Sequence, residues 1–581
     1  MKKLVLALVL TPLPAGASAQ GVVSSADPRA SEAGREILRA GGTATDAALA
    51  MMLALTVVEP QSSGIGGGGF LIHYDAASGA TATIDGREKA PAAAKADRFL
   101  GPDGKPRPFI DAVAGGQSVG VPGNLRLAAL AHRKWGKLPW KALFAPAIRL
   151  AEGGYQVTRP LASSSAMLAP LWLGTRGGAA AVAQPVAGDN SGRISGGTGG
   201  DFPAVTALYA PGGTPLSEGM TVRNPELAAT LRLVADGGAD AFYAGPNAQK
   251  LVDTVTRSRR NPSDMTLADL AAYQAKERAA VCSTYRGYKV CGMGPPSSGA
   301  TTVFQILGML ERFDLKALGK DNPVAWHLIA EAMLLAYADR ETYLADADFI
   351  KVPVKGLLDR SYVAARSRLI SETKSLGRYE AGTPPGAEPR TAAVQREVAG
   401  TTHFIAVDRR GDVVTMTSTV EGPFGSQLVA GGYVLNNELT DFTRAPELDG
   451  KPVANRVEGG KRPLSSMAPT IVYDRAGKPV FTVGAAGGKT IIMQVAKAII
   501  AHVDWGLPAR AALGEGLVYF NDAGLIVEKG TGREPMKPAL EALGHVVTVG
   551  TLGLKANAAE RTATGWAGAA DPRSVGVALS E

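Results

Sequence analysis

A hydroxyl beside a cleavable loop is the first chemistry this sequence offers, in Gly400-Thr401-Thr402-His403-Phe404. Residues 378–400 are rich in Pro, Gly and charge and lack an apolar period, so they read as loop. Residues 404–407, 408–412 and 413–419 read as strand, turn and strand. A turn centred on residue 410 sets Thr401 opposite Thr419. Opposed strand residues bring their Cβ atoms to about 4.5–5.5 Å, close enough for two hydroxyls to meet. Cleavage before Thr401 would free a threonine whose own α-amino group serves its hydroxyl as base. That amine has a reference pKa of about 7.7–8.0, suited to taking a proton near neutral pH. Residue type alone favours the plainer reading, an ordinary strand start.

Two other motifs point to different chemistry. Gly64-Ile-Gly66-Gly-Gly-Gly69 fits the G-x-G-x-x-G dinucleotide fingerprint, which needs a strand before it and a helix after it. Here the order is helix then strand, so a tight loop that admits only backbone is expected. Gly116-Gln-Ser118-Val-Gly120 fits the G-x-S-x-G nucleophile elbow, with His545 as a candidate base. Residues 111–116 read as only a weak strand, and Pro122-Gly123 delays the helix that the elbow requires. Ser118 is the rival nucleophile of a different enzyme class.

The elements that must position these residues alternate between helix and strand. Residues 30–40 and 46–58 carry helical spacing around Gly41-Gly42. Residues 323–343 place Trp326, Leu328, Ile329, Met333, Leu334 and Tyr337 at helical intervals. Residues 70–74 and 81–85 alternate as a hairpin, which delivers Arg87 just past a strand end. Residues 471–473 and 480–483 pair across Asp474-Arg-Ala-Gly477, and Gly487-Gly488 open a helix over residues 489–502. The pattern is that of an α/β or α+β fold. Cys282 and Cys291 fall directly opposite each other in a hairpin turning at Arg286-Gly287. In an oxidising compartment that register favours a disulfide, and a Cys pair without histidine is not a metal set.

Composition narrows the partners. The 581 residues are 45% hydrophobic and carry a formal net charge of +8. That charge is dispersed, with no basic block interleaved with aromatics, so nucleic acid is not the expected partner. No later run reaches the ~18 apolar residues of a membrane span. Met1-Lys-Lys, the apolar residues 4–13 and Ala17-Ser-Ala19 describe a secretory signal peptide cut after Ala19, and Pro12 and Pro14 argue against a buried helix. An exported protein, periplasmic or secreted, is expected.

A series of short segments then carries a resemblance. In order they are Ser63-Gly-Ile-Gly-Gly-Gly-Gly-Phe70, Asp85-Gly-Arg-Glu-Lys-Ala-Pro91, Pro295-Pro-Ser-Ser-Gly299 and Tyr337-Ala-Asp-Arg340. After the Thr401 segment come Leu435-Asn-Asn437, Lys461-Arg-Pro-Leu-Ser-Ser-Met-Ala-Pro-Thr470 and Gly487-Gly488. Together they resemble the γ-glutamyltranspeptidase family over most of the chain. Residues 177–204 match least and read as a Gly/Ala-rich insertion. The resemblance implies an N-terminal-nucleophile hydrolase with a four-layer αββα sandwich, made as one precursor and cut between Gly400 and Thr401. It divides the chain into a signal peptide (1–19), a large subunit (20–400) and a small subunit (401–581), the last two interleaved in one domain. It implies neither metal nor cofactor.

The resemblance also assigns roles. Thr401 is the nucleophile, Thr419 hydrogen-bonds it, and the backbone N–H groups of Gly487 and Gly488 face the developing oxyanion. Arg87 forks onto the α-carboxylate of the substrate, a task for guanidinium rather than ammonium. Ser465 and Ser466 donate to the same carboxylate, and Glu438 and Asp441 hold the α-ammonium. Thr402 and His403 support the strand end. Two features depart from the family. Glu421 stands where an asparagine is expected beside the ammonium, and the lid segment, residues 442–462, is short and lacks the gating tyrosine. The implied activity moves γ-glutamyl groups from glutathione and similar amides to water, amino acids or peptides. The departures keep a cephalosporin acylase-like enzyme and a poly-γ-glutamate amidase of the same fold as alternatives.

Overall fold

The computed structural model describes residues 21–175, 200–393, 400–521 and 523–581. The expected signal peptide, most of the insertion and the end of the 378–400 loop lie outside the described residues. Strand-forming runs assemble into two large antiparallel sheets and several small ones. The first has seven strands in the order Val577–Ser580, Val22–Ser25, Thr401–Val407, Val413–Thr419, Gly68–Tyr74, Thr81–Gly86 and Lys276–Arg278. The second has six, Gly565–Ala570, Lys555–Thr562, Pro479–Ala486, Thr470–Tyr473, Tyr288–Gly292 and Val281–Tyr285. Strands from before and after residue 400 are neighbours in both sheets.

The sheets face each other, with Pro479–Ala486 of the second lying against Thr401–Val407 and Val413–Thr419 of the first. Helices cover the outer faces. Pro28–Arg39, Ala44–Val58 and Asn124–Trp135 pack on the first sheet, and Gly299–Leu310, Thr490–Val503 and Ala509–Gly514 on the second. The result is an αββα sandwich. Ala44–Val58 is buried on every side, which fits its nearly uninterrupted apolar sequence. It begins in a capping box in which Thr43 Oγ1 accepts from Asp46 N at 3.2 Å and Asp46 Oδ2 accepts from Thr43 N at 3.0 Å. Caps of this kind contribute about 1 kcal/mol.

The period-2 alternation of strands decides where the candidate chemistry points. Phe404 and Ala406 join the core beneath Ala44–Val58, while Ile405 and Val407 join a layer between the sheets with Ile72, Ile471 and Ala559. Thr401 and His403 share the parity of Ile405 and so face the inter-sheet layer. Thr401 pairs with Thr419, in the register read from the sequence.

The Gly64–Gly69 run is a loop whose backbone runs against other backbone. A Cβ on Gly66 would come within 2.0 Å of the Val434 carbonyl oxygen, and one on Gly67 within 1.9 Å of that of Thr419. Only glycine fits there. One local expectation fails: residues 109–113, read in part as weak strand, form a short helix, followed by a 3-10 turn over residues 116–118.

At the edge of the second sheet, Arg286 and Gly287 both take positive φ (51° and 83°), the backbone of a two-residue hairpin turn. Cys282 and Cys291 lie opposite each other, Cα atoms 4.1 Å apart, and are joined. Protein recovered from an oxidising compartment should therefore resist thiol-directed alkylation until it is reduced. Stoichiometric labelling of both cysteines without reductant would contradict the pairing.

Candidate active site

The mouth of the Thr401–Thr419 pair is a small hydrogen-bond system. Thr401 Oγ1 and Thr419 Oγ1 are 3.2 Å apart, and both residues are buried. Thr419 Oγ1 donates to the carbonyl of Gly400 at 3.1 Å and accepts from the N–H of Glu421 at 2.8 Å. A hydroxyl has one proton to donate, so in the Thr401–Thr419 contact Thr401 is the donor. The carbonyl before Thr401 is thereby polarised while the Thr401 oxygen is oriented beside it. Glu421 reaches this position with φ of +76°, a left-handed backbone that is rare outside glycine.

Opposite the pair, the strand Pro479–Ala486 runs out at Gly487-Gly488 and the helix Thr490–Val503 begins. Both glycines have positive φ, 131° and 58°. Among the described residues neither of their amide N–H groups has a backbone partner. Thr490 Oγ1 donates to the Gly487 carbonyl at 2.8 Å and Gln494 Nε2 to the Ala486 carbonyl at 2.7 Å, which turns these carbonyls toward the helix. Such an arrangement suits stabilisation of an oxyanion.

Arg87, Thr401, Thr419, Glu421, Glu438, Asp441, Ser465, Ser466 and Gly488 line one small cavity, with room for about one water. Gly487 lines a wider neighbouring cleft with Gly400 and Thr401. Arg87 is held from behind: its N–H donates to Asp85 at 2.8 Å, and its carbonyl accepts from the Tyr273 hydroxyl at 2.7 Å. Its guanidinium makes four hydrogen bonds. It donates to Glu438, to Asp441 at 2.5 Å, and to the carbonyls of Pro463 (3.1 Å) and Leu464 (2.8 Å). The fork expected for a substrate carboxylate therefore rests on the two acids expected for the ammonium.

Charge in this cavity is unbalanced. Glu88, Glu421, Glu438 and Asp441 surround one buried arginine. Burial pushes the Glu88 carboxyl up to about 7 against the pull of Arg87. Burial, with Glu88 and Glu421 beside it, pushes Glu438 well above the usual carboxylate range despite Arg87. For Arg87, burial disfavours the charge, but Glu438, Asp441 and Glu88 outweigh it and raise the pKa. Protons shared among the acids keep the cluster tolerable.

Several residues without an assigned role in the sequence brace the residues that line the cavity. Asn437 donates to Glu421 and accepts from Gly422 N at 2.9 Å, which fixes the Glu421 side chain. Arg340 donates to Ser466 Oγ at 2.8 Å and to Ser298 Oγ at 2.9 Å. Tyr337, one turn earlier on the same helix, donates to the Lys489 carbonyl at 2.5 Å beside Gly488. All three, and Glu88, lie inside the motif segments, which was their only signal. Residues 442–462 contribute no wall to the cavity. Phe442 and Val457 instead pack with Ala90, Phe99 and Ala112.

The rival nucleophile is not assembled. Ser118 Oγ is buried and donates to backbone carbonyls, at 2.6 Å to Val113 and 3.0 Å to Gly115. His545 lies instead against His327, with a nitrogen contact of 2.7 Å, and near Glu331. The helical lead-in at residues 109–113 is also wrong for a nucleophile elbow.

Comparison with known proteins bears on the whole chain. The family model for gamma-glutamyltranspeptidase matches residues 30–580. The chain belongs to this family. A glutathione hydrolase proenzyme of Bacillus subtilis (strain 168) is 38% identical over 535 residues, 90% of this chain and 85% of the relative. Among solved structures, a cephalosporin acylase from Bacillus halodurans superimposes with a TM-score of 0.80 at 26% identity, covering 99% of each chain. A gamma-glutamyltranspeptidase from Helicobacter pylori gives 0.55 at 32% identity, covering 66% of this chain and 99% of that one. As a gamma-glutamyltranspeptidase-family enzyme, the chain has the αββα sandwich of the N-terminal-nucleophile hydrolases.

In this family member, replacing Arg87 by Met should destabilise the uncut protein by about 3–5 kcal/mol, because it strands a buried acid cluster. Burial raises the Glu88 carboxyl to about 7 and pushes Glu438 upward as well, so the cluster carries less negative charge near pH 5 and needs its counter-ion less there. The loss should therefore be larger at pH 8 than at pH 5 in urea denaturation. Equal losses at the two pH values would contradict a charged cluster.

Proposed function

We propose that this chain is a self-processing γ-glutamyl hydrolase/transferase that acts on glutathione and related γ-glutamyl amides through Thr401. The observation that carries the reading is the Thr419 hydroxyl, which donates to the Gly400 carbonyl beside the Thr401 oxygen. Attack of Thr401 Oγ1 on that carbonyl forms an ester as the Gly400–Thr401 amide bond breaks, and the released nitrogen takes a proton. Water then hydrolyses the ester, leaving a carboxylate on Gly400 and a free amine on Thr401. Gly400 in turn vacates part of the cleft it lines with Thr401 and Gly487.

In turnover the free amine of Thr401 takes the hydroxyl proton, and Oγ1 attacks the γ-carbonyl of the substrate. The oxyanion falls to the Gly487 and Gly488 amides. The amine product departs with the proton, and water or an acceptor amine removes the γ-glutamyl group from the ester. The glutathione hydrolase proenzyme that this chain resembles supports the substrate class and the precursor. A bound γ-glutamyl group would exchange partners with the cavity: its α-carboxylate takes Arg87 and its α-ammonium takes Glu438, Asp441 and Glu421. Ser465 and Ser466 complete the carboxylate side. The subunits are then residues 20–400 and 401–581. Export with loss of residues 1–19 accords with the N-terminal pattern, and among the described residues no helix is long and apolar enough to cross a membrane.

Two measurements test the reading. Wild-type protein on a denaturing gel should run as two pieces, the smaller beginning at Thr401 by terminal sequencing, while Thr401→Ala stays whole and inactive. An uncut, fully active chain would sink the mechanism. A glutaryl amide lacks the α-ammonium and would leave the acid cluster unmatched, so a γ-glutamyl amide should show kcat/KM about tenfold or more higher. Equal values would move the specificity to that of an acylase while leaving the Thr401 chemistry in place.

A further inference from the structure

His403 occupies a place that the proposed chemistry does not use. Its ring is wholly buried, two residues along the strand from Thr401 and on the same face. Nδ1 lies 2.8 Å from Thr417 Oγ1 and Nε2 lies 3.0 Å from Thr415 Oγ1. A threonine hydroxyl both donates and accepts, so the neutral ring is satisfied in either tautomer. Burial holds its pKa down to about 3, and the ring is uncharged at working pH. Across the layer stands Gly484, in the strand Pro479–Ala486 that leads directly to Gly487 and Gly488. A Cβ on Gly484 would sit 2.3 Å from His403 Cε1, 2.4 Å from Nδ1 and 2.6 Å from Nε2. The imidazole therefore rests on a bare Cα.

That contact joins the two halves of the site. Thr401 belongs to one sheet and the Gly487-Gly488 turn to the other, and facing sheets ordinarily pack about 10 Å apart. Next to the site the local spacing is filled by one ring, clamped by two threonines on its own sheet and seated on glycine in the other. We propose that His403 is a positioning residue, a neutral spacer that sets the gap between the Thr401 hydroxyl and the Gly487 and Gly488 amides. The proposal rests on Thr401 as nucleophile. Self-cleavage and turnover use the same hydroxyl, so both depend on the same gap.

The test is a double-mutant cycle on the folded, purified chain. Gly484→Ala forces the ring or a sheet to move by roughly 1 Å, a displacement that costs about 100-fold in rate. It should lower kcat by about that factor and slow self-cleavage in parallel, with KM within about threefold because the Arg87 cavity is untouched. Adding His403→Ala frees volume for the new methyl and should recover at least about tenfold of the loss, a coupling that non-contacting sites do not show. His403→Asn keeps a donor and an acceptor but is narrower. It should lower kcat about tenfold and leave the pH–rate profile superimposable on wild type. Wild-type kcat in Gly484→Ala, no recovery in the double variant, or a pH limb lost in His403→Asn would each overturn the proposal. Should Gly484→Ala fail to fold, an unchanged kcat in His403→Asn overturns it equally. Failure of the parent reading looks different: Thr401→Ala would still be cut and active, whatever Gly484 does.

Discussion

The single proton of the Thr419 hydroxyl is the point on which the site turns. Given to the Gly400 carbonyl, it leaves the Thr419 oxygen to accept from Glu421 N–H and from Thr401. This arrangement needs Thr401 and Thr419 at the same level of a ladder, since a one-residue slip would send one hydroxyl to the opposite face. The level is secured from both sides, because Thr419 also pairs with Gly68 and the Thr401 strand also pairs with Val22–Ser25. Beneath the hairpin the fully buried helix Ala44–Val58 packs against Phe404, Ala406, Val414 and Met416. The packing of the first half of the sandwich is thus a device for holding two oxygens near 3 Å.

Electrostatics sets a second constraint on the same few residues. A guanidinium and four carboxyls in a space this small are stable only together, since each lone charge would bear a desolvation cost of several kcal/mol. The pairing of Arg87 with Glu438 and Asp441 is therefore a resting state that fills the cavity with its own ions. If the proposed substrate binds there, its zwitterionic head would enter with little net change in charge, because it brings one group of each sign. A ligand of one sign would not. Selectivity of this kind follows from neutrality rather than from shape.

Local features were legible in the sequence, and long-range ones were legible only through the motifs. The Thr401–Thr419 register and the Cys282–Cys291 pairing follow from counting residues around a short turn, where the chain has few alternatives. The helix Pro323–Tyr343 announces itself by apolar residues at helical spacing from Trp326 to Tyr337. The contact of Arg87 with Glu438 spans 351 residues, and no local pattern encodes such a distance. Asn437, Arg340 and Glu88 were visible as members of motifs but not as partners of Glu421, Ser466 and Arg87, because residue type carries no direction. Residues 111–113, read as the start of a weak strand, end a short helix instead, because apolar side chains after Pro108 suit a short helix as well as a strand. Periodicity cannot separate the two in so few residues.

The way the two sheets are woven has a further consequence. Strands from the two sides of residue 400 are hydrogen-bonded neighbours in both of them, so severing the Gly400–Thr401 bond would release nothing while the sandwich is folded. Unfolding would be another matter. Two separate chains would have to find each other and re-thread their strands, a bimolecular search where there had been a connected loop. An intact precursor would refold as one connected chain, whereas a cut product would persist by the height of its unfolding barrier. Its durability would be a lifetime rather than an equilibrium.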